Sequence, residues 1–270
     1  MNTKARPETA GGPLREEAFV ARAAQLSRYA RELIASEAGL KRDLIASLEQ
    51  PFDAPEMQSA LDAEAVTDEA ALGAALRRLR KRVMLRLITR DLNGLADLSE
   101  VMATTTALAE TAIRFSVSRL SQWMEDQYGR PVGADSGTPQ DLVVVGMGKL
   151  GGGELNVSSD VDLIFVYPEE GDTRGPRALS NHEFFLRLGR RLIASLNDLT
   201  EHGYVFRVDM RLRPHGESGP LAVSFPMLEE YLLTQGREWE RYAWIKGRPL
   251  CGARARELSE LVRPFVFRKY

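Results

Sequence analysis

Two short apolar runs, Leu142-Val143-Val144-Val145 and Leu163-Ile164-Phe165-Val166-Tyr167, stand on either side of a glycine-rich stretch that closes on a pair of acids. Apolar runs of this length bounded by glycine have the pattern of buried strands. Between them lie Gly146-Met147-Gly148-Lys149-Leu150-Gly151-Gly152-Gly153, the polar Asn156-Val157-Ser158-Ser159, and then Asp160-Val161-Asp162. The hexapeptide Gly146–Gly151 satisfies G-x-G-x-x-G. No helix of useful length fits between it and the Asp pair, so the dinucleotide-binding fold is rejected, and Walker A is not met either. Strand side chains alternate between faces. Asp160 and Asp162 therefore project together while Val161 and Leu163 pack into the other side.

Paired carboxylates beside a glycine turn suit magnesium, which takes one or two carboxylates and completes its shell with phosphate oxygens. An isolated Asp-x-Asp is as a rule a solvated strand end, and a glycine run as a rule a turn. It is the order of buried strand, glycine segment, polar tetrapeptide and paired acids that points to nucleotidyl transfer. A third strand, expected over Tyr204–Pro214, adds to this. Alternation in Val208-Asp209-Met210-Arg211-Leu212-Arg213 sets Asp209, Arg211 and Arg213 on one face. Asp209 would complete a two-metal arrangement. The guanidiniums of Arg211 and Arg213 are matched to phosphate oxygens. The plainer alternative is a half-exposed sheet face carrying salt bridges.

The rest of the chain divides by periodicity. Up to about residue 128 the pattern is helical, with a stripe of Leu72, Leu76, Leu79, Val83 and Leu87. Arg77, Arg78, Arg80, Lys81, Arg82 and Arg86 between them read as the solvated face of that helix rather than a nucleic-acid patch. A second long helix is expected from Leu95 to Tyr128, and an earlier helical stretch around residues 17–36, set apart by Pro51 and Pro55. Residues 129–140, GRPVGADSGTPQ, read as a linker. Beyond it, strands alternate with helices. Ser180-Asn181-His182-Glu183 is a capping box opening a helix to about Asn197. Ser224-Phe225-Pro226 starts another, and helix is expected from there to the end. The fold class is α+β, divided as a helical region 1–128, a linker 129–140 and a sheet-and-helix domain 141–270.

Composition narrows the function classes. A net charge of −2 over 270 residues gives no reason to expect a nucleic-acid partner. One cysteine, Cys251, excludes an internal disulfide framework and a multi-cysteine zinc site. His182, His202 and His215 lack ligand spacing. No apolar run reaches membrane-spanning length, and the polar N-terminus, residues 1–15, carries no signal-peptide pattern. A soluble, cytoplasmic protein with no membrane partner is expected.

Three longer motifs occur in order: GMGKLGGGELNVSSDVDLIFVY, YVFRVDMRLRPHGESGPL and GREWERYAWIKGRPL. Together they closely resemble the bacterial glutamine synthetase adenylyltransferase/adenylyl-removing enzymes over at least residues 141–270, and the helical part looks like the N-terminal region of that family. The resemblance implies a nucleotidyltransferase domain of DNA polymerase β type. It also implies a bifunctional family, in which one domain removes AMP from a tyrosine of glutamine synthetase by phosphorolysis and another adds it from ATP. The position of Met1 and the segments GESGPL and REWERYAWIK look more like the removing half. Asp160, Asp162 and Asp209 are implied as the catalytic carboxylates that bind Mg2+, with Gly151, Gly152 and Ser159 lining the nucleotide phosphates. Implied partners are glutamine synthetase, ADP or ATP with phosphate, and, from the family alone, a PII-type signal protein. Family chains are several times longer, so this one reads as a fragment or a truncated form. Two alternatives stay open: ATP-dependent adenylyl transfer onto glutamine synthetase, and a non-catalytic module that docks glutamine synthetase or senses nucleotides.

Overall fold

A computed structural model describes residues 13–267. The N-terminal residues 1–12, on which most of the signal-peptide reading rests, and residues 268–270 lie outside it. The chain forms two compact units, one from residues up to 52 together with 81–101, the other from 53–80 together with 102 onward. The expected linker at 129–140 falls inside the second unit.

The first unit is helical. α1 (Pro13–Leu26) and α2 (Arg28–Ser36) replace the single stretch expected around 17–36, and α3 (Ala38–Ser47) follows it. Ser27 makes the first break: its side chain accepts from Ala30 N and caps α2. Val20, Ala23, Ala30, Leu33, Leu44 and Leu48 close a core with Leu85.

In the second unit α4 (Ala54–Asp62) is capped by Asp53, with Pro55 in its first turn. α5 (Glu69–Leu92) and α6 (Leu98–Tyr128) are the two long helices expected from the periodicity, and each runs from one unit into the other. Every residue of the α5 stripe is buried. The arginines between them correct the solvated-face expectation. Arg78 is exposed and pairs with Glu64, but Arg77 and Arg86 are buried, Arg77 only 3% exposed. Arg86 lies over the Phe52 ring at 4.1 Å. Arg77 donates to the carbonyls of Gly203 (2.7 Å), Gly73 (2.8 Å) and Ser195 (3.3 Å), and to that of Asp198. Burial pulls its pKa below the usual arginine value, partly offset by Asp198. Arg77→Met keeps the stem and strands those carbonyls. Urea unfolding should show a loss of about 2–3 kcal/mol, typical of charge-assisted bonds; a loss under about 0.5 kcal/mol would make the staple incidental.

The sheet follows. β1 (Arg130–Gly133) pairs antiparallel with β4 (Gly171–Arg174), so the segment expected as a linker holds an ordered strand. β2 (Val143–Gly146) and β3 (Val161–Tyr167) pair antiparallel, and between them lies only the single turn α7 (Gly148–Gly151). α8 (Asn181–Asn197) starts at Ser180, whose hydroxyl accepts from Glu183 N at 3.2 Å. The Glu183 carboxylate accepts from Arg187 rather than completing the capping box. β5 (Val208–Asp209) and β6 (Ala222–Ser224) both pair parallel with β3, which is thus the central strand. After α9 (Phe225–Thr234) and α10 (Glu238–Ile245) the chain returns as β7 (Arg248–Cys251), antiparallel to β2, before α11 (Ala255–Val266). The expectation of unbroken helix after Ser224 is corrected here. Pro249 and the flanking Gly247 and Gly252 disfavour helix, and the open edge of β2 accepts a strand.

The two faces of β3 are both covered. Ile164 and Val166 join Val143, Val145, Leu228, Leu232, Leu258 and Val262 under α9 and α11. On the opposite face Tyr167 stacks on Phe185 of α8 at 4.9 Å. Each such buried side chain contributes about 1.5–3 kcal/mol. The result is an α+β fold with its acids at the start of a rigid, buried strand. Among the described residues no helix is long and apolar enough to cross a membrane.

Candidate active site

Alternation places Asp160 and Asp162 on the same face as Ile164, just beyond the end of the core, while Val161 and Leu163 are fully buried behind them. Parallel pairing of β5 brings the third acid alongside: Val161 stands opposite Val208, and Asp162 opposite Asp209.

The three acids differ in their surroundings. Asp160 is exposed, and its Oδ1 accepts from Arg207 Nε at 2.5 Å. Asp209 is gripped by Arg211, whose Nε reaches both carboxylate oxygens at 3.0 and 2.8 Å and whose Nη2 reaches Oδ2 at 2.5 Å. That guanidinium holds the Asp209 pKa below the ordinary value. Asp162 is half-buried. Burial, then the charges of Asp209 and Asp160, push its pKa up against a smaller pull from Arg211 and Lys149. Asp162 is therefore the under-satisfied charge of the group. Asp160 and Asp209, but not Asp162, line an open cavity of about 440 Å³ together with Arg211, Arg213 and Glu217.

The glycine segment shapes the other side. Gly148 has φ 53°, and a β-carbon there would stand 3.0 Å from Asp162 Oδ2, so both conformation and space call for glycine. Met147 N donates to Asp162 O at 2.9 Å and fixes the approach. α7 is tied down by Arg248, which donates to Gly151 O (3.0 Å) and Leu150 O (3.1 Å) while paired with Glu110 at 2.5 Å.

Residues 18–262 match the family described as glutamate-ammonia ligase adenylyltransferase. The chain belongs to that family. It falls within the nucleotidyltransferase superfamily. Among its relatives are proteins named bifunctional glutamine synthetase adenylyltransferase/adenylyl-removing enzyme. The one from Nitrosomonas europaea is 59% identical over 95% of this chain. The one from Chromobacterium violaceum is 55% identical over 96%, and that from Neisseria meningitidis serogroup B 54% identical over 75%. The matched part spans 28%, 29% and 22% of those relatives respectively, so the chain corresponds to a fraction of their length.

For a member of this family, the expected phosphate contacts divide in the structure. The row of Asp209, Arg211 and Arg213 on one strand face is not formed, because β5 ends at Asp209. Asp209 Oδ1 accepts from Arg211 N at 2.8 Å, a local turn that competes with the sheet ladder. Arg211 doubles back, leaving its side chain 72% exposed. Arg213 is turned to loop duty, donating to the carbonyls of Met210 (2.8 Å), Glu217 (3.0 Å) and Gly219 (3.3 Å). Gly151 is buried: a β-carbon there would lie 1.8 Å from Lys246 O. Gly152 is exposed beside the Lys246–Glu154 ion pair. Ser159 Oγ donates to Asn156 Oδ1 at 2.9 Å.

Two neighbours of the acids, Gly148 and Arg207, were not among the expected site residues. Counting back by two from Asp209 along its strand would have found Arg207. Among the described residues no three His, Cys, Asp or Glu side chains stand close enough together to cage an ion. The donor set still suits an oxygen-seeking cation. All three groups are carboxylates, Asp162 carries a charge its surroundings resist, and the acids beside it are held only by exposed arginines.

Proposed function

We propose that this domain removes AMP from adenylylated glutamine synthetase by phosphorolysis. An oxygen of inorganic phosphate attacks the α-phosphorus, the bond to the tyrosine oxygen breaks, and ADP and the protonated tyrosine hydroxyl leave. The carrying observation is the register that sets Asp209 opposite Asp162, with Asp160 and Asp209 lining an open cavity. The names of the relatives support the substrate, and the GESGPL and REWERYAWIK segments support removal over addition.

Asp160, Asp162 and Asp209 would hold magnesium, which when bound neutralises charge on the phosphates. Arg211, exposed and, among the described residues, hydrogen-bonded to Asp209, would swing onto the incoming phosphate. Arg213 acts one step away, by holding the loop that carries Arg211. Buried β3 fixes the acids so that little reorganisation accompanies the reaction. The thiol of Cys251, pushed up to about 11 by burial, takes no part. A cytoplasmic setting accords with that single reduced cysteine. A PII-type regulator would act on the longer enzyme.

The test is ADP release from adenylylated glutamine synthetase with magnesium, with and without phosphate. Phosphate-dependent ADP is expected. ATP-dependent labelling of unmodified glutamine synthetase, with no ADP release, would reverse the direction. Binding of glutamine synthetase without turnover either way would make this a docking module.

A further inference from the structure

The parallel ladder sets Asp209 beside Asp162, and just ahead of it the side chain of Arg207 meets that of Asp160. Arg207 O accepts from Val161 N at 2.9 Å, so the backbone of Arg207 adjoins the first residue of β3. Arg207 thus joins the group in which the charges of Asp160 and Asp209 act on Asp162. Arg207 donates to Asp160 Oδ1 at 2.5 Å and to Ser158 O at 3.3 Å. A guanidinium has five N–H donors, so the two contacts leave most of its fork open.

Stability does not account for it. The side chains of Arg207 and Asp160 are 60% and 43% exposed, and an ion pair that open to solvent contributes little to folding. Arg213 shows what a structural arginine looks like here: it is bonded to three carbonyls of one loop. Arg207 instead rests on a carboxylate that the proposed reaction needs for a cation. One carboxylate oxygen cannot fully serve both.

We propose that Arg207 is a phosphate-binding residue parked on Asp160 until ligand arrives. It leaves the carboxylate when a divalent cation binds there, and its freed fork takes a non-bridging oxygen of the adenylate phosphate. This rests on the carboxylate reading above and adds a coupling to it. Arg207 opposes the cation when the cation comes alone and favours the nucleotide once the cation is in place. Linkage then makes each ligand strengthen the other.

Calorimetric titration of the full chain with Mg2+ alone, and with AMP at saturating Mg2+, tests this on Arg207→Gln beside the wild type. Removing a competitor that forms only an exposed ion pair should tighten Mg2+ by about threefold. Removing a charge-assisted phosphate contact should weaken AMP by about tenfold or more. The opposite signs distinguish this role from simple damage, which weakens both. Arg207→Lys, which keeps the charge without the fork, should restore Mg2+ affinity to the wild-type value and AMP affinity only in part. If Arg207→Gln leaves both constants unchanged, or weakens Mg2+, the parking role is overturned and the acid site stands. If the wild type binds neither Mg2+ nor AMP, the acid-site reading falls and takes this one with it.

Discussion

Asp162→Asn should lower phosphorolysis by on the order of a thousand-fold or more while leaving the fold at least as stable as the wild type. The two effects share one cause. Asp162 is held half-buried between two other acids; burial first, then the charges of Asp209 and Asp160, raise its pKa. A carboxyl whose folded pKa lies above its unfolded value costs stability wherever the pH keeps it ionised. That cost fades as pH falls through the carboxylate range. The amide keeps the shape and removes the charge. The variant should therefore gain in thermal midpoint at about pH 7, and the gain should shrink as pH falls through the carboxylate range. Active sites often carry such a charge at the expense of stability. Parallel assays of ADP release and thermal unfolding decide it: near-native turnover would remove Asp162 from the chemistry. A clear loss of midpoint at about pH 7 would show that the charge supports the fold instead.

The parts of this fold that were legible are those where local pattern and burial agree. Val143–Val145 and Leu163–Tyr167 are short apolar runs between glycines, and both are central strands. The α5 stripe needed only its period. The acid pair needed only alternation, and Asp209 joined it because Val208 and Asp209 continue that alternation for two residues.

What was illegible depended on partners distant in sequence. Arg77 looks like any surface arginine until its guanidinium reaches the carbonyls of Ser195, Asp198 and Gly203. Arg130-Pro131-Val132-Gly133 carries turn residues, yet pairing with Gly171–Arg174 makes it a strand. Past Asp209 the expected strand failed to local chemistry: the aspartate prefers a bond to its own chain two residues on. A strand was missed at Arg248–Cys251, where glycines on both sides and an internal proline were the available signal.

Gly151→Ala should unfold or severely destabilise the second unit, with a loss of about 3 kcal/mol or more by urea denaturation, at the upper end for overpacking. Its new methyl would stand 1.8 Å from Lys246 O and 2.5 Å from Gly146 O. Both are backbone atoms, Gly146 in β2 and Lys246 in the turn between α10 and β7, so neither can yield as a flexible side chain would. Gly152→Ala is the matched control. Gly152 has φ −77°, is exposed, and its new methyl would meet nothing closer than the Lys246 side chain at 3.3 Å. Its stability should stay within about 0.5 kcal/mol of wild type. The pair separates two meanings of a glycine run beside paired acids. If the glycines served only as a phosphate cradle, both variants would stay folded and differ from wild type in AMP affinity alone. If Gly151 is there so that α7 can lie against the Lys246 carbonyl, its substitution removes the fold first. The site is then lost as a consequence, because α7 is what holds Gly148 against Asp162.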